Sequence, residues 1–258
     1  MSSISLAPQH QIKGQTAIIT GGTKNLGAET ATELAKLGTN LFLHYRSNPE
    51  EAQKFQAELT KQYNDIKVEI YQGDLTKAQD ITDLFKAAKN AFPKGIDIAI
   101  NNIGQVIKKP ITEFTEDEFD SLDLKNNKVA FFFIKEAGLN LNDNGRIVSL
   151  TTSLLAAYTE YYGGYQGTKA GVEFYSKAAS KELHSRGITS NCVSPGPMET
   201  PFLINSEQKE SVEFFKTVGL HGKLTQTGDI VPIIRFLVTE GTWITGQNIF
   251  ASGGFTAR

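Results

Sequence analysis

Cysteine is nearly absent from this sequence of 258 residues, which contains Cys192 and no other. An internal disulfide is therefore excluded, which suits a reducing compartment. Histidine is also scarce, because only His10, His44, His184 and His221 occur, without neighbouring cysteines or clustered acids. Residues spaced in this way do not build a metal site, so we predict no bound metal. His44 lies inside an apolar run, and we expect its side chain to be packed.

The chain also lacks an excess of charge of one sign and a long apolar run. Its formal net charge of −2 gives no electrostatic reason to expect nucleic acid or a membrane surface as a partner. No apolar run approaches the length that crosses a bilayer. Residues 1–13 lack the basic start and apolar core of a signal peptide. We therefore expect a soluble cytoplasmic protein whose residues 1–13 form a loose arm.

Short apolar runs alternate with helical segments along the whole chain. The seven runs predicted as strands are 16–20, 40–45, 67–71, 96–100, 147–150, 188–193 and 248–251. Six helical segments lie between them, and the longest cover about 115–139 and 165–186. This alternation predicts the α/β class, with a parallel sheet covered by helices on both faces. We predict one Rossmann-like, doubly wound domain over residues 1–258.

Glycine or polar residues follow six of the predicted strands. In doubly wound sheets, ligands bind beyond the carboxyl ends of the strands, which is where these residues fall. They are Gly21, Tyr45-Arg46, Asp74, Asn101, Thr152-Ser153 and Pro195-Gly196.

The first of these strand ends carries a glycine-rich turn from Thr20 to Gly27, which reads Thr-Gly-Gly-Thr-Lys-Asn-Leu-Gly. Such a turn lets backbone N–H groups and a helix N-terminus face a pyrophosphate. A tight turn without a ligand would explain the glycines about as well. Its place at the first strand-to-helix junction favours dinucleotide binding.

Tyr165 and Lys169 lie four positions apart in a predicted helix, so their side chains share one face. A phenol titrates near ~10 and needs its anion stabilised to act as an acid–base catalyst at neutral pH. An ammonium one turn away would do this. The pattern is short, however, and a half-buried tyrosine beside a surface lysine also fits it.

Taken in order, these motifs resemble those of the short-chain dehydrogenase/reductase family over essentially the whole chain. The family motif Thr-Gly-x-x-x-Gly-x-Gly matches Thr20, Gly21, Asn25 and Gly27, with Asn25 in place of the middle glycine. Asparagine tolerates left-handed backbone angles, so we expect the turn to keep its shape. Further matches are Asp74, Asn101-Asn102-Ile103-Gly104, Asn126, Tyr165 with Lys169, and Asn191 to Gly196 with Thr200.

The resemblance implies which residues form the site. The implied catalytic residues are Asn126, Ser153, Tyr165 and Lys169. The implied cofactor-binding residues are Gly21, Thr23, Lys24, Asn25, Leu26, Tyr45, Arg46, Ser47, Asn48, Asp74, Leu75, Asn102, Gly104, Tyr165, Lys169, Pro195, Gly196, Met198 and Thr200. In the family, the lysine also holds the nicotinamide ribose, and the asparagine anchors a water that leads from the lysine to solvent.

One catalytic position is ambiguous between two hydroxyls. The family's serine is the second residue of a Ser-Ser pair, and a gapless match places Thr152 there, with Ser153 one step further. Ser153 is the only serine between the strand and Tyr165, and it lacks a β-methyl group. We predict Ser153 as the catalytic hydroxyl and keep Thr152 as its rival.

The second strand end predicts NADPH as the cofactor. Enzymes of this fold that use NADH place an acid after this strand to hold the ribose hydroxyls. Here that position is Tyr45, followed by Arg46, and no acid occurs between Gly38 and Asn48. Arg46 offers a planar fork suited to phosphate, and Lys24 comes from the glycine-rich turn.

Three functions are consistent with these residues. The first, which we favour, is NADPH-dependent reduction of the carbonyl of a ketone, aldehyde or keto ester. The second is reduction of a 3-oxoacyl thioester on an acidic acyl-carrier protein, which would dock on a basic patch. The candidates for this patch, which could equally be solvated surface, are Lys108, Lys109, Lys125 and Lys128. The third is an NADPH-binding regulator that has lost turnover. The intact Tyr165 argues against the third.

Two further expectations concern a lid and assembly. The long connection from 195 to about 228 carries Phe202, Leu203, Phe214 and Phe215, as a substrate lid would, although a satellite core cluster explains these side chains about as well. The helices over about 115–139 and 165–186 carry more apolar residues than one sheet-facing stripe needs. Because the family usually pairs these helices, we predict a homotetramer, or at least a homodimer.

Overall fold

The computed structural model describes residues 11–256, and within them seven strands form a single parallel sheet. The strand order is β3-β2-β1-β4-β5-β6-β7, with every neighbouring pair parallel. The strands are β1 Thr16–Ile19, β2 Asn40–Tyr45, β3 Val68–Gln72, β4 Ile96–Asn101, β5 Leu141–Leu150, β6 Thr189–Pro195 and β7 Asn248–Ala251. The order reverses direction between β1 and β4, which creates the switch point where ligands bind. The predicted fold class is confirmed.

The described residues contain more α-helices than the six predicted. They are α1 Asn25–Lys36, α2 Pro49–Gln62, α3 Ala78–Ala91, α4 Glu116–Asp123, α5 Val129–Asn140, α6 Gly163–Glu182, α7 Pro201–Ile204, α8 Lys209–Val218 and α9 Thr227–Val238. A π-helical turn over Leu124–Lys128 divides the segment that we predicted as one long helix into α4 and α5. The connection after β6 also folds into two helices, α7 and α8, which the glycines and prolines there concealed.

The core lies on both faces of the sheet, because successive strand residues point to opposite sides. In β1, Ile19 packs with Leu34 of α1 and Ile234 of α9 in one apolar layer. Ile18 packs with Phe85 of α3 in the other layer, which also contains residues of α5 and α6. Burial of both faces explains why the strands read as nearly continuous apolar runs. The site therefore sits on a rigid edge of the sheet.

The start of the chain corrects one expectation in part. Residues 1–10 of the predicted loose arm lie outside the described residues. Ile12 is buried in the core, and its carbonyl accepts a hydrogen bond from the Thr39 hydroxyl at 3.1 Å. The prediction of a loose arm therefore does not hold for Ile12. Among residues 11–256, no helix is long and apolar enough to cross a membrane.

Candidate active site

A cavity of about 640 Å³ opens at the carboxyl ends of the strands. The predicted site residues that line it are Gly21, Thr23, Lys24, Asn25, Leu26, Tyr45, Arg46, Ser47, Asp74, Leu75, Asn102, Gly104, Ser153, Tyr165, Lys169, Pro195, Gly196, Met198 and Thr200. Asn48 and Asn126 are not among the lining residues. The amide of Asn48 instead donates to Glu51 at 3.1 Å, and Glu51 itself lines the cavity.

The glycine-rich turn has the shape that its sequence predicts. Asn25 opens α1 with a φ of 47°, so it adopts the left-handed backbone that the middle glycine would otherwise supply. Gly27 is required for packing, because a Cβ there would lie 2.0 Å from the carbonyl oxygen of Gly21. The replacement of glycine by Asn25 therefore leaves the turn intact.

Tyr165 and Lys169 are both buried on the inner face of α6. Burial raises the pKa of Tyr165 to about 12, and a hydrogen bond with the Thr152 hydroxyl lowers it by less. Burial also lowers the pKa of Lys169 to about 8. The sequence predicted that the lysine would favour the tyrosine anion. Burial and the Thr152 hydrogen bond account for the pKa shift of Tyr165 in this structure, so that role of the lysine stays a prediction.

Two backbone carbonyls hold the Lys169 ammonium in place. Its Nζ atom donates to Leu150 at 2.9 Å and to Ile103 at 3.3 Å. These carbonyls belong to the end of β5 and to the loop after β4. Gly104 leaves room for the lysine, because a Cβ there would lie 3.1 Å from Lys169 Nζ and 3.3 Å from Asn126 Oδ1.

The π-helical turn directs Asn126 toward the loop that follows β4. Its Nδ2 atom donates to the Gln105 carbonyl at 2.8 Å and to Thr168 Oγ1 at 3.0 Å. Its Oδ1 atom accepts from the Gln105 N–H at 2.8 Å. Gln105 lacked any sequence signal, because it follows the glycine motif without being part of it. π turns of this kind often accompany functional sites.

The two candidate hydroxyls occupy different positions after β5. The Thr152 hydroxyl contacts the Tyr165 hydroxyl and accepts a hydrogen bond from the Leu154 N–H at 3.3 Å. Ser153 begins a short 3₁₀ turn, and it is buried while lining the same cavity. The structure therefore places the Thr152 hydroxyl against Tyr165, which favours the predicted rival, and the choice of Ser153 stays a prediction.

Basic side chains surround the end of the cavity beyond β2. Lys24 and Arg46 are exposed there, and within residues 11–256 neither forms an ion pair with a carboxylate. Asp74 and Leu75 line the adjoining wall. Glu51 of α2 also lines this end, and no sequence signal marked it because it lies beyond the stretch from Gly38 to Asn48 that follows β2.

The other end of the cavity is apolar and aromatic. Tyr162, Phe202 and Phe215 line it, together with Val106, Leu154, Leu203 and Phe255. The ring centroids of Tyr165 and Phe202 are 6.3 Å apart, and those of Tyr162 and Tyr165 are 6.4 Å apart. Of the four predicted lid side chains, Phe202, Leu203 and Phe215 reach the cavity. Phe214 is 59% exposed and does not.

The described residues contain no group of three or more His, Cys, Asp or Glu side chains that could hold a metal ion. The residues that line the cavity do fit a dinucleotide. The turn at Gly21 has left-handed backbone angles at Gly21 and Asn25, two unpaired cations stand at one end, and Gly104 leaves space beside Lys169. An aromatic chamber adjoins the buried phenol, so a second molecule can lie against the hydroxyl group.

Comparisons with known proteins agree with this geometry. A family model described as Enoyl-(Acyl carrier protein) reductase matches residues 21–256. The chloroplastic NADPH-dependent aldehyde reductase 2 of Arabidopsis thaliana is 33% identical over 266 residues, which cover 98% of this chain and 97% of that protein.

Solved structures extend the similarity to the fold. A Burkholderia cenocepacia protein solved with bound NADP has a TM-score of 0.93 and 43% identity, covering 97% of this chain and 96% of that one. An angucycline C-6 ketoreductase solved with bound NADP has a TM-score of 0.88 and 26% identity, covering 95% of this chain and 96% of that one.

Proposed function

This chain belongs to the short-chain dehydrogenase/reductase family, and on that premise we propose that it uses NADPH to reduce the carbonyl group of an aldehyde, ketone or keto ester to an alcohol. The observation that carries the proposal is the position of the buried Tyr165 hydroxyl, between Thr152 and an aromatic chamber. The aldehyde reductase of Arabidopsis and the NADP in the Burkholderia structure support the choice of cofactor.

The residues of this chain divide the work of carbonyl reduction. NADPH, when bound, supplies the hydride. Tyr165, whose phenol is protonated at neutral pH, donates the proton to the substrate oxygen as a general acid. The Thr152 hydroxyl donates a hydrogen bond to the same oxygen while negative charge develops on it. Lys169 and Asn126 flank Gly104. Lys169 would bind the nicotinamide ribose, and Asn126 would position the water through which a proton returns to Tyr165.

The chamber beside Tyr165 favours an apolar substrate. Tyr162, Phe202 and Phe215 present rings to it, and such rings bind apolar bodies by contact and burial of area. A small carbonyl compound with an aromatic or alkyl group satisfies this lining. The cytoplasmic location stays a prediction, and the Arabidopsis relative is described as chloroplastic.

An acyl-carrier substrate fits the surface less well, although the matching family model is described by that class of reductase. An acidic carrier needs free cations at the mouth of the site. Lys108 pairs with Glu207 at 2.5 Å, and Lys109 pairs with Glu118 at 2.9 Å. Lys125 donates to Ser121 at 3.0 Å and points along the cavity wall. Two of the four predicted docking lysines are therefore already neutralised.

The proposed function is tested with a panel of aldehydes, ketones, keto esters and 3-oxoacyl thioesters, followed by NADPH absorbance. We expect the highest kcat/KM with an apolar aldehyde or ketone. Turnover confined to the thioesters would favour the acyl-carrier alternative. NADPH binding without turnover of any compound would favour the catalytically weak regulator.

The hydroxyl assignment predicts unequal effects at two neighbouring residues. Thr152→Val should lower kcat roughly 10- to 10²-fold, because it removes the donor next to Tyr165 while keeping the side-chain volume. Ser153→Ala, the matched control, should stay within about threefold of the wild type. Both variants are compared by kcat at saturating NADPH and by unfolding temperature. If Ser153→Ala loses turnover while Thr152→Val keeps it, Ser153 is the catalytic hydroxyl.

We also propose that residues 195–228 act as a substrate lid, held closed by the ion pair of Lys108 and Glu207. The Glu207 side chain is 0% exposed and joins the segment after α7 to the loop after β4. Lys108→Met should leave this carboxylate buried and unpaired, which is strongly unfavourable. We expect faster hydrogen exchange in α7 and α8 and a KM for substrate raised several-fold.

The control for the lid experiment removes a surface ion pair within the same segment. Lys216→Met breaks the exposed pair with Glu213 and should leave exchange of α7 unchanged. NADPH and substrate together should slow exchange in the wild-type segment. Equal protection with and without both ligands would contradict the lid.

Assembly is the last part of the proposal. Phe119, Phe131, Leu139 and Phe174 of α4, α5 and α6 are each about half exposed or more, whereas Phe133 is fully buried. Pairing of these helices across a two-fold axis would cover these exposed apolar side chains, so we propose a homotetramer or at least a homodimer. A monomer mass by light scattering at micromolar concentration would exclude it.

A further inference from the structure

His44 is the penultimate residue of β2, and its buried imidazole connects two loops that are distant in sequence. The Gly21 N–H donates to its Nδ1 atom at 3.2 Å. Its Nε2 atom lies 3.0 Å from the Gly73 carbonyl oxygen. Gly21 opens the glycine-rich turn, and Gly73 immediately precedes Asp74. One side chain therefore joins the two walls of the cavity that we assign to the adenosine half of the cofactor.

The chemistry of the two partners determines the state of the ring. A backbone N–H can only donate, so Nδ1 must carry a lone pair, and a carbonyl oxygen can only accept, so Nε2 must carry the proton. Both bonds form only in the neutral imidazole with its proton on Nε2. In an imidazolium, the Nδ1–H group would face the Gly21 N–H, and the hydrogen bond between Gly21 and His44 would be lost.

The charges around His44 are consistent with a neutral ring. Burial lowers its pKa to about 4, and this effect exceeds the rise that the Gly73 hydrogen bond and Asp74 cause. Arg46, on the other side, lowers the pKa further. The ring therefore keeps one acceptor and one donor at neutral pH.

The backbone of β2 reinforces the same junction. The His44 carbonyl accepts from the Gly22 N–H at 2.9 Å, and the Tyr45 carbonyl accepts from the Gly73 N–H at 3.0 Å. Gly73 is thus bound through both of its backbone polar groups. Because Gly21 and Gly22 are bound as well, the positions of both loops depend on the end of β2.

We propose that His44 is a positioning residue for NADPH: its neutral imidazole holds the glycine-rich turn and the Asp74 loop at the separation that the cofactor requires. This inference rests on the proposed cofactor site. His44 also lines this cavity, and the inference assigns it no contact with the reacting atoms. Its consequence is that loss of the ring weakens cofactor binding while the chemical step at Tyr165 is preserved.

Three substitutions separate the two hydrogen bonds. His44→Leu removes both, His44→Asn keeps an acceptor near the Nδ1 position, and His44→Gln keeps a donor long enough to reach Gly73. We expect His44→Leu to raise the Kd for NADPH roughly 10- to 10²-fold, because binding must then order both loops. The two amide variants should fall between it and the wild type. The control His184→Leu replaces an exposed histidine and should leave the Kd unchanged.

The decisive readouts are Kd by NADPH fluorescence and kcat at saturating NADPH. A positioning role predicts a raised Kd and KM for NADPH with kcat within about twofold of the wild type. An unchanged Kd in folded His44→Leu would overturn the inference, and so would a kcat that falls as far as kcat/KM. A wild-type protein that does not bind NADPH would instead overturn the proposed function.

A second measurement does not depend on the variants folding. Nitrogen-15 NMR of histidine-labelled wild-type protein, with and without NADP⁺, reports the tautomer directly. We expect one buried histidine with its proton on Nε2 at pH 7, still neutral at about pH 5.5. A proton on Nδ1, or an imidazolium at pH 7, would contradict the bridging geometry even if NADPH binds normally.

Discussion

Tyr165→Phe is expected to lower kcat for carbonyl reduction roughly 10²- to 10⁴-fold, the range associated with loss of general acid catalysis. The variant removes one hydroxyl and keeps the ring, which packs between Tyr162 and Phe202. We therefore expect the Kd for NADPH to change by less than about twofold and the unfolding temperature to change little. Stopped-flow NADPH oxidation under single-turnover conditions measures the chemical step itself.

Tyr175→Phe is the matched control for this substitution. Tyr175 lies on the same helix, α6, and its hydroxyl donates to Asn127 Oδ1 at 2.8 Å outside the cavity. Tyr175→Phe should lose about as much stability as Tyr165→Phe but keep the wild-type kcat. If both variants retain more than about half of the wild-type kcat, Tyr165 is not the proton donor.

The pH profile gives an independent view of the same acid. Tyr165 stays protonated across the accessible range, because burial raises its pKa to about 12. Lys169 carries its charge below about pH 8 and loses it above, because burial lowers its pKa to that value. The efficiency of reduction should therefore be flat below about pH 8 and decline above it.

Arg46→Ala combined with Lys24→Ala is expected to lower the preference for NADPH over NADH by roughly 10²- to 10⁴-fold. Charge-assisted hydrogen bonds contribute about 1.5–3 kcal/mol each, and about 1.4 kcal/mol corresponds to a decade. Both side chains are exposed, and Glu51 lines the same end of the cavity. Solvent screening and the negative charge of Glu51 both weaken the attraction for a phosphate, so we expect a loss of preference near the lower end of this range.

The measurement is kcat/KM for both cofactors in the parent and in each variant. Lys54→Ala, at an exposed position on α2, is the control and should leave the ratio unchanged. Tyr45→Asp with Arg46→Ala should move the preference toward NADH by supplying an acid at the ribose. Because Tyr45 is buried, the unfolding temperature of this double variant is compared with that of the parent protein. Similar efficiency with NADH and NADPH in the parent would refute the assignment.

The sequence alone was sufficient for the parts of this protein that local patterns encode. Short continuous apolar runs and the regular spacing of turns predicted all seven strands, because a strand buried on both faces must be apolar throughout. The left-handed angle at Asn25 followed from the residue type. The pairing of Tyr165 with Lys169 on one face followed from helical pitch. Each of these needs information from a few neighbouring residues only.

The tertiary structure decided what depends on contacts between distant residues. Whether Thr152 or Ser153 faces Tyr165 is determined by where β5 ends and the next turn begins, and both residues suit either position chemically. The π turn that directs Asn126 to Gln105 divides a segment that the sequence predicts as one continuous helix.

The same reason explains the role of His44, which reads as one more packed residue in a strand. Its hydrogen-bond partners lie 23 and 29 positions away in the chain, and only folding brings Gly21 and Gly73 to the two sides of its ring. Burial likewise determines the pKa values of Tyr165 and Lys169, because desolvation depends on the surrounding atoms and not on the helical spacing. The sequence by itself thus determined which groups are present at the site. Their protonation, orientation and partners were decided by the packing of the sheet edge.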